Sequence, residues 1–193
     1  MKKIATLLFS LVVFTPSLFS QYFSDDFESY TVNDFLAVAS PVWTTWSNAP
    51  GGSEDVKIAN NDAFSGTKSI YFNSPGGNGP NDVILPFGGV NSTGRFKFTS
   101  KFKVANGKAA YFNFQAGASP GITWAMEFYM RAGGTFDITS GGGVTGTYPQ
   151  GVWFELSIDV DLDSDTWEVF IDNVSQGKFT NTNSISFLDI INK

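Results

Sequence analysis

Beyond residue 20, hydrophobic and polar residues alternate with a period of two over run after run, the pattern of strands that bury one face. In 95–104 Phe96, Phe98, Phe102 and Val104 oppose Arg95, Lys97, Lys101 and Lys103. In 111–116 Phe112 and Phe114 oppose Tyr111, Asn113 and Gln115. The run 122–131 sets Ile122, Trp124, Met126, Phe128 and Met130 against Thr123, Glu127, Tyr129 and Arg131. In 152–162 Val152, Phe154, Leu156, Ile158, Val160 and Leu162 oppose Trp153, Glu155, Ser157, Asp159 and Asp161, and 166–172 groups Trp167, Val169 and Ile171. Turn residues separate the runs: Asn106-Gly107, 119–121, Gly133-Gly134, 141–143 and 162–165. No window carries a helical stripe of useful length, and no internal repeat or linker breaks the series; the glycine-rich stretches 75–80 and 141–146 read as loops. One apolar face per strand requires a second sheet to cover it. The expected fold is therefore all-β: a two-sheet antiparallel β-sandwich or jelly roll, as one domain over 21–193.

Residues 1–20 break the alternation. Lys2 and Lys3 precede an apolar run from Ile4 to Phe14 and then Pro16 to Ser20, the layout of a cleaved secretory signal, too short to span a bilayer. The expected location is the exterior or the cell surface. Without Lys2 and Lys3, ten basic residues face 18 acidic ones, a charge of −8. Such a chain repels phosphate backbones and anionic lipid, so nucleic acid and membrane insertion are set aside as partners. The sequence has no His and no Cys. That excludes Ser-His-Asp and Cys-His nucleophilic sites, the usual zinc sites, Fe–S clusters and disulfides. Chemistry is left to carboxylates, Arg, Lys, Tyr or a hard cation.

Four segments in order carry a family resemblance: 24–30 (SDDFESY), 66–72 (GTKSIYF), 151–161 (GVWFELSIDVD) and 170–173 (FIDN). Together they resemble the concanavalin A-like lectin/glucanase superfamily, in particular laminin-G-like jelly rolls of secreted bacterial proteins associated with type IX secretion. The resemblance implies an opening strand at 24–30. It also implies a closing strand that pairs beside it, and often a sorting signal. Here the sequence ends at 189–193 (DIINK), so either 185–191 is the last strand or the reading frame is truncated.

The same resemblance implies that glycans are bound or cut on the exposed, concave face of one sheet, formed by 109–117, 122–131 and 135–140. The outward residues there would be Tyr111, Asn113, Gln115, Glu127, Tyr129, Arg131 and Asp137. Tyr rings offer flat apolar area to a pyranose, and amide, carboxylate and guanidinium groups suit vicinal hydroxyls. An ordinary solvated strand face produces the same alternation. The glucanase pattern E-x-D-x-x-E is absent from 122–131, which holds only Glu127 as a carboxylate. A hydrolase would need a second carboxyl about 5–10 Å away, and Asp137 is the cross-strand candidate. A jelly-roll lyase would lean on Tyr129 and Arg131 without the usual His.

Asp25, Asp26 and Glu28 are candidate ligands for a structural Ca²⁺ of the kind the resemblance implies near the first strand. Asp159, Asp161, Asp163 and Asp165 start like an EF-hand loop but lack its Gly and Glu, so they read as a turn plus a charged strand face. If 95–103 lies beside 152–161, its basic residues meet Glu155, Asp159 and Asp161 across the ladder. Trp124 and Trp167 are assigned to the core; Trp43 and Trp46 have no periodicity, and one of them could cover a sugar ring. The leading expectation is a non-catalytic carbohydrate-binding or adhesion module for polysaccharide or surface glycan. A glycan-degrading enzyme and a ligand-free structural domain stay open as alternatives.

Overall fold

A computed structural model describes residues 23–73, 80–140 and 142–191. The leader expected over 1–20 lies outside the described residues, as do 75–79 and Gly141 of the two glycine-rich loops. In chain order the elements begin with a single helical turn, α1 (Leu36–Ala39), and three short strands, β1 (Thr44–Thr45), β2 (Ile58–Ala59) and β3 (Ser69–Ile70). Longer strands follow: β4 (Asp82–Asn91), β5 (Arg95–Phe102), β6 (Ala110–Ala116), β7 (Thr123–Met130), β8 (Thr135–Thr139) and β9 (Thr145–Thr147). The chain then runs through β10 (Phe154–Asp161), β11 (Thr166–Ile171), β12 (Val174–Thr180) and β13 (Ile185–Ile191). A seven-stranded sheet in the order β1-β4-β13-β6-β7-β8-β9 stacks on a four-stranded sheet, β12-β11-β10-β5, and β2 pairs with β3 separately. All pairings are antiparallel. This is the expected two-sheet β-sandwich.

Most of the alternating apolar residues lie in the core, which has an aromatic layer at its centre, although Ile122 and Val152 are exposed. Phe112 and Phe114 of β6 meet Phe98 of β5 at 5.7 and 5.4 Å between ring centroids, and Phe114 meets Trp167 of β11 at 6.0 Å. Phe112, Phe128 and Phe136 stack side by side across β6, β7 and β8 at 5.0 and 4.8 Å. Each such ring contributes roughly 1.5–3 kcal/mol through burial, so this layer clamps the two sheets together.

The charged ladder also forms. Arg95, Lys97 and Lys101 stand opposite Asp161, Asp159 and Glu155 in register and pair with them at 2.8, 3.3 and 2.7 Å. Lys103 leaves the ladder for Asp62. Asp161 Oδ1 accepts the amides of Asp163 and Ser164 and shapes the β10–β11 turn, as the aspartate series suggests. In the β11–β12 hairpin the two loop residues, Asp172 and Asn173, both have positive φ (48° and 65°), the geometry whose twist matches paired strands.

The opening segment departs from expectation. Residues 24–30 form no strand: Asp25 Oδ1 and Asp26 Oδ1 accept the amides two residues on, and Phe27 takes φ 63°. These side-chain turns satisfy locally the backbone that a ladder would otherwise use. Residues 185–191, by contrast, do form a strand, β13, the last of those described, as one of the two alternatives has it. It lies between β4 and β6 in the middle of the larger sheet.

Candidate functional site

Three cross-strand rows cross the face of the larger sheet that points away from the core. Register aligns Asp189, Asn113, Glu127 and Thr139 across β13, β6, β7 and β8. It aligns Ile191, Tyr111, Tyr129, Asp137 and Thr145 in the next row, and Phe187, Gln115 and Trp124 in the third. All seven expected face residues are therefore brought together on neighbouring strands, with Arg131 just past the end of β7. They are not equally exposed. Arg131 is exposed, Glu127, Tyr129 and Asp137 are half-buried, and Tyr111, Asn113 and Gln115 are buried. The Asn113 and Gln115 amides turn inward onto Asp189 Oδ2, at 2.6 and 3.2 Å, rather than outward. Gln115 Oε1 also accepts the Gly121 amide at 2.6 Å, and the Trp46 indole lies against Gly121. Trp43 is instead a buried ring that donates to Asp25.

Glu127 is the centre of the face. Its Oε1 accepts the Tyr111 and Tyr129 hydroxyls at 2.9 and 2.8 Å, and its Oε2 accepts Thr139 and Ser140 at 3.2 and 2.6 Å. Ser140 reaches it from a left-handed backbone conformation, φ 55°. Partial burial pushes the Glu127 carboxyl up, but the hydroxyls of Ser140, Tyr129, Tyr111 and Thr139 together hold it below the ordinary value. Burial, followed by the bond to Glu127, pushes both tyrosines up, so they stay protonated donors. The two rings lie 4.7 Å apart, and the Arg131 guanidinium sits 4.4 Å over Tyr129. Arg131 forks onto Asp137 through Nε at 2.5 Å and Nη2 at 2.8 Å, which holds the Asp137 carboxyl down.

In this arrangement Glu127 is favoured as the ionised acceptor and the two tyrosines as protonated donors. A general acid needs a raised carboxyl pKa, and Glu127 moves the other way. A tyrosine base needs a lowered one, and both tyrosines move up. Asp137 stands opposite Tyr129 instead of Glu127 and is tied to Arg131, so the hydrolase pairing of Glu127 with Asp137 has no free second carboxyl. What the face offers is ring surface, fixed hydroxyls, an anchored guanidinium and carboxylate oxygens.

Trp124 corrects the sequence reading. A register shift between Phe114 and Gln115 advances β7 by one residue, so Trp124 pairs with Gln115 on the outer face and is 39% exposed. Ala125 is the extra residue, its carbonyl held by Asn181 Nδ2 at 2.8 Å. Trp167 lies in the core as expected. Thr139 and Asp189 were absent from the expected face. The alternation that selected Asp137 also selects Thr139, and that of 185–191 sets Asp189 opposite Leu188 and Ile190.

Asp25, Asp26 and Glu28 do not fit a calcium site. Asp25 Oδ2 accepts the Tyr30 hydroxyl at 2.7 Å and the Trp43 indole at 3.2 Å. Glu28 is turned onto the Thr67 amide and hydroxyl and the Lys68 amide at 2.6–2.9 Å. Asp25 and Glu28 are thus each engaged by donors of their own surroundings and do not converge. Among the described residues no three acidic, His or Cys side chains gather as a metal site.

Among solved structures, the chain is similar to a sialidase, with a TM-score of 0.53 and 13% identity over 83% of this chain. It spans only 14% of that protein's length. It also matches Bacillus licheniformis β-glucanase (TM-score 0.47, 10% identity, 83% of each chain). A third match is sheep galectin-11 (TM-score 0.44, 19% identity, 55% of this chain and 87% of that one). No family model matches the sequence, and no curated protein matches it. At these identities the likeness is one of fold. That fold is the all-β, two-sheet antiparallel sandwich that the described residues form.

Proposed function

We propose that this chain is an exported, non-catalytic carbohydrate-binding module. It recognises a polysaccharide or surface glycan of uncharged sugars across the outer face of the larger sheet. The observation that carries the reading is the locked Glu127 centre beside open ring surface. Four hydroxyls saturate one carboxylate, while Trp124 is 39% exposed and the Arg131 guanidinium lies over the half-buried Tyr129 ring, surface that a sugar can cover. Such a surface is preorganised at no cost to the ligand, because its polar groups are already oriented by each other. Glu127 and Asp137 against a single Arg131 leave the face acidic, which disfavours uronates and sulfated sugars there. Export rests on the leader expected over residues 1–20.

The test is affinity electrophoresis of the intact protein through gels cast with neutral β-glucan, xylan, mannan or galactan, with a reducing-end assay on the same mixtures. Retardation by at least one polymer without new reducing ends is the expected result, and Trp124→Ala and Tyr129→Ala should each abolish it. Turnover of any polymer would replace this reading with an enzymatic one. Absence of retardation in every gel would leave the face a structural surface.

A further inference from the structure

A second candidate site lies away from the sheet face, against the small β2–β3 ribbon. Ile58 pairs with Ile70, so the next position outward sets Lys57 beside Tyr71, and an isolated bridge sets Phe35 on the other side of Lys57. Strand alternation turns Ile58 into the core and leaves Lys57 and Tyr71 facing water, Tyr71 at 55% exposure. Phe35, Lys57 and Tyr71 thus form one cross-strand row, aromatic–cation–aromatic, with the Lys57 ammonium 5.0 Å from the Phe35 ring centre.

This row lines a cavity of about 500 Å³, joined by Asn73 and by Asn81, whose Nδ2 donates to the Asp55 carbonyl at 2.7 Å. Asp55 also borders it, but its carboxylate is spent on the Ala37, Val56 and Gly51 amides at 2.9–3.0 Å. Lys57 takes part in none of the ion pairs among the described residues. The cavity therefore combines an ammonium that makes no ion pair among the described residues, asparagine groups and an exposed phenol ring, with the Asp55 carboxylate turned onto backbone amides.

We propose that this cavity binds an acidic saccharide, with a uronate carboxylate on Lys57 and a ring face on Tyr71. A carboxylate gives Lys57 the direct ion pair that Asp55, turned onto backbone amides, does not make, and Tyr71 accepts the apolar face of a pyranose. Asp55 is the acidic residue in the lining, and its charge opposes the ligand's; contact with the ammonium and three amide donors on Asp55 offset it. Charges farther than about 8–10 Å are screened at physiological salt. The site shares with the proposed function only the idea that the ligand is a sugar. It uses other residues and the opposite charge preference.

The experiment is isothermal titration of the intact protein with trimers of galacturonate, mannuronate and glucuronate, each against its methyl ester. The ester keeps the sugar and removes the charge. At least one acid should bind roughly ten-fold more tightly than its ester, a preference that Lys57→Met removes and Lys57→Arg retains. Tyr71→Ala should weaken acid and ester alike, and Trp124→Ala should change neither. No binding by any trimer, equal binding of acid and ester, or a preference that survives Lys57→Met would each overturn the proposal. Loss on Trp124→Ala instead would move acidic sugars to the sheet face and leave the cavity without a ligand.

Discussion

Glu127 organises the face around one carboxylate, on which four hydroxyls converge. Its folded pKa is depressed, so the stabilisation it gives is complete above the unfolded value near pH 4.3 and is lost as pH falls through the lower folded value. Glycan retention should therefore stay level from about pH 8 to 5 and fall only in more acidic buffer, which a pH series of affinity gels would read. Glu127→Gln replaces one acceptor oxygen with an NH₂ donor. Two of the four hydroxyls that converge on Glu127 would then face a donor. A loss of about 1–3 kcal/mol in urea unfolding is expected, together with loss of retention. A variant as stable as the parent would show that the hydroxyls find other partners.

At the scale of elements, the face depends on the β6–β7 bulge. Trp124 and Trp167 look alike in sequence, each in register with aliphatic neighbours, yet one is exposed and the other fully buried. Trp167→Ala should cost about 3–5 kcal/mol, whereas Trp124→Ala should stay within about 0.5 kcal/mol and act on binding alone. Asn181 guards that difference: it is buried and donates to the carbonyl of the bulged Ala125. Asn181→Ala should cost about 1–3 kcal/mol and weaken retention as well, because Trp124 loses its fixed register. Period-two alternation made the strands, the ladder of β5 on β10 and the face of β6, β7 and β8 legible, since each depends only on which neighbours share a side. The bulge was not legible. It is set by a carbonyl pairing with an asparagine 56 residues away, which leaves no trace in local pattern. The same holds for Asn113 and Gln115, whose amides turn inward only because β13 brings Asp189 beside them.

On the scale of the whole molecule, the site and the core are two sides of the same strands. Tyr111 and Asn113 hold the face while Phe112 and Phe114, between and beside them, hold the interior. Phe112 touches Phe98 and Phe102 of the opposite sheet and Phe128 of its own, so it joins the layers at the point where the face is built. Phe112→Ala should cost about 3–5 kcal/mol and weaken glycan retention without altering a single outward residue. The reverse does not hold: truncating Tyr129 or Trp124 leaves the interior intact. A shared interior also makes unfolding one event. Tryptophan fluorescence, which samples Trp124 on the face and Trp167 in the core, should change at the same urea midpoint as far-UV circular dichroism, and retention should vanish there too. A retention midpoint clearly below the spectroscopic one would mean that β7 and β8 open before the sandwich does. The face would then be a separately melting flap and not an integral wall of the fold.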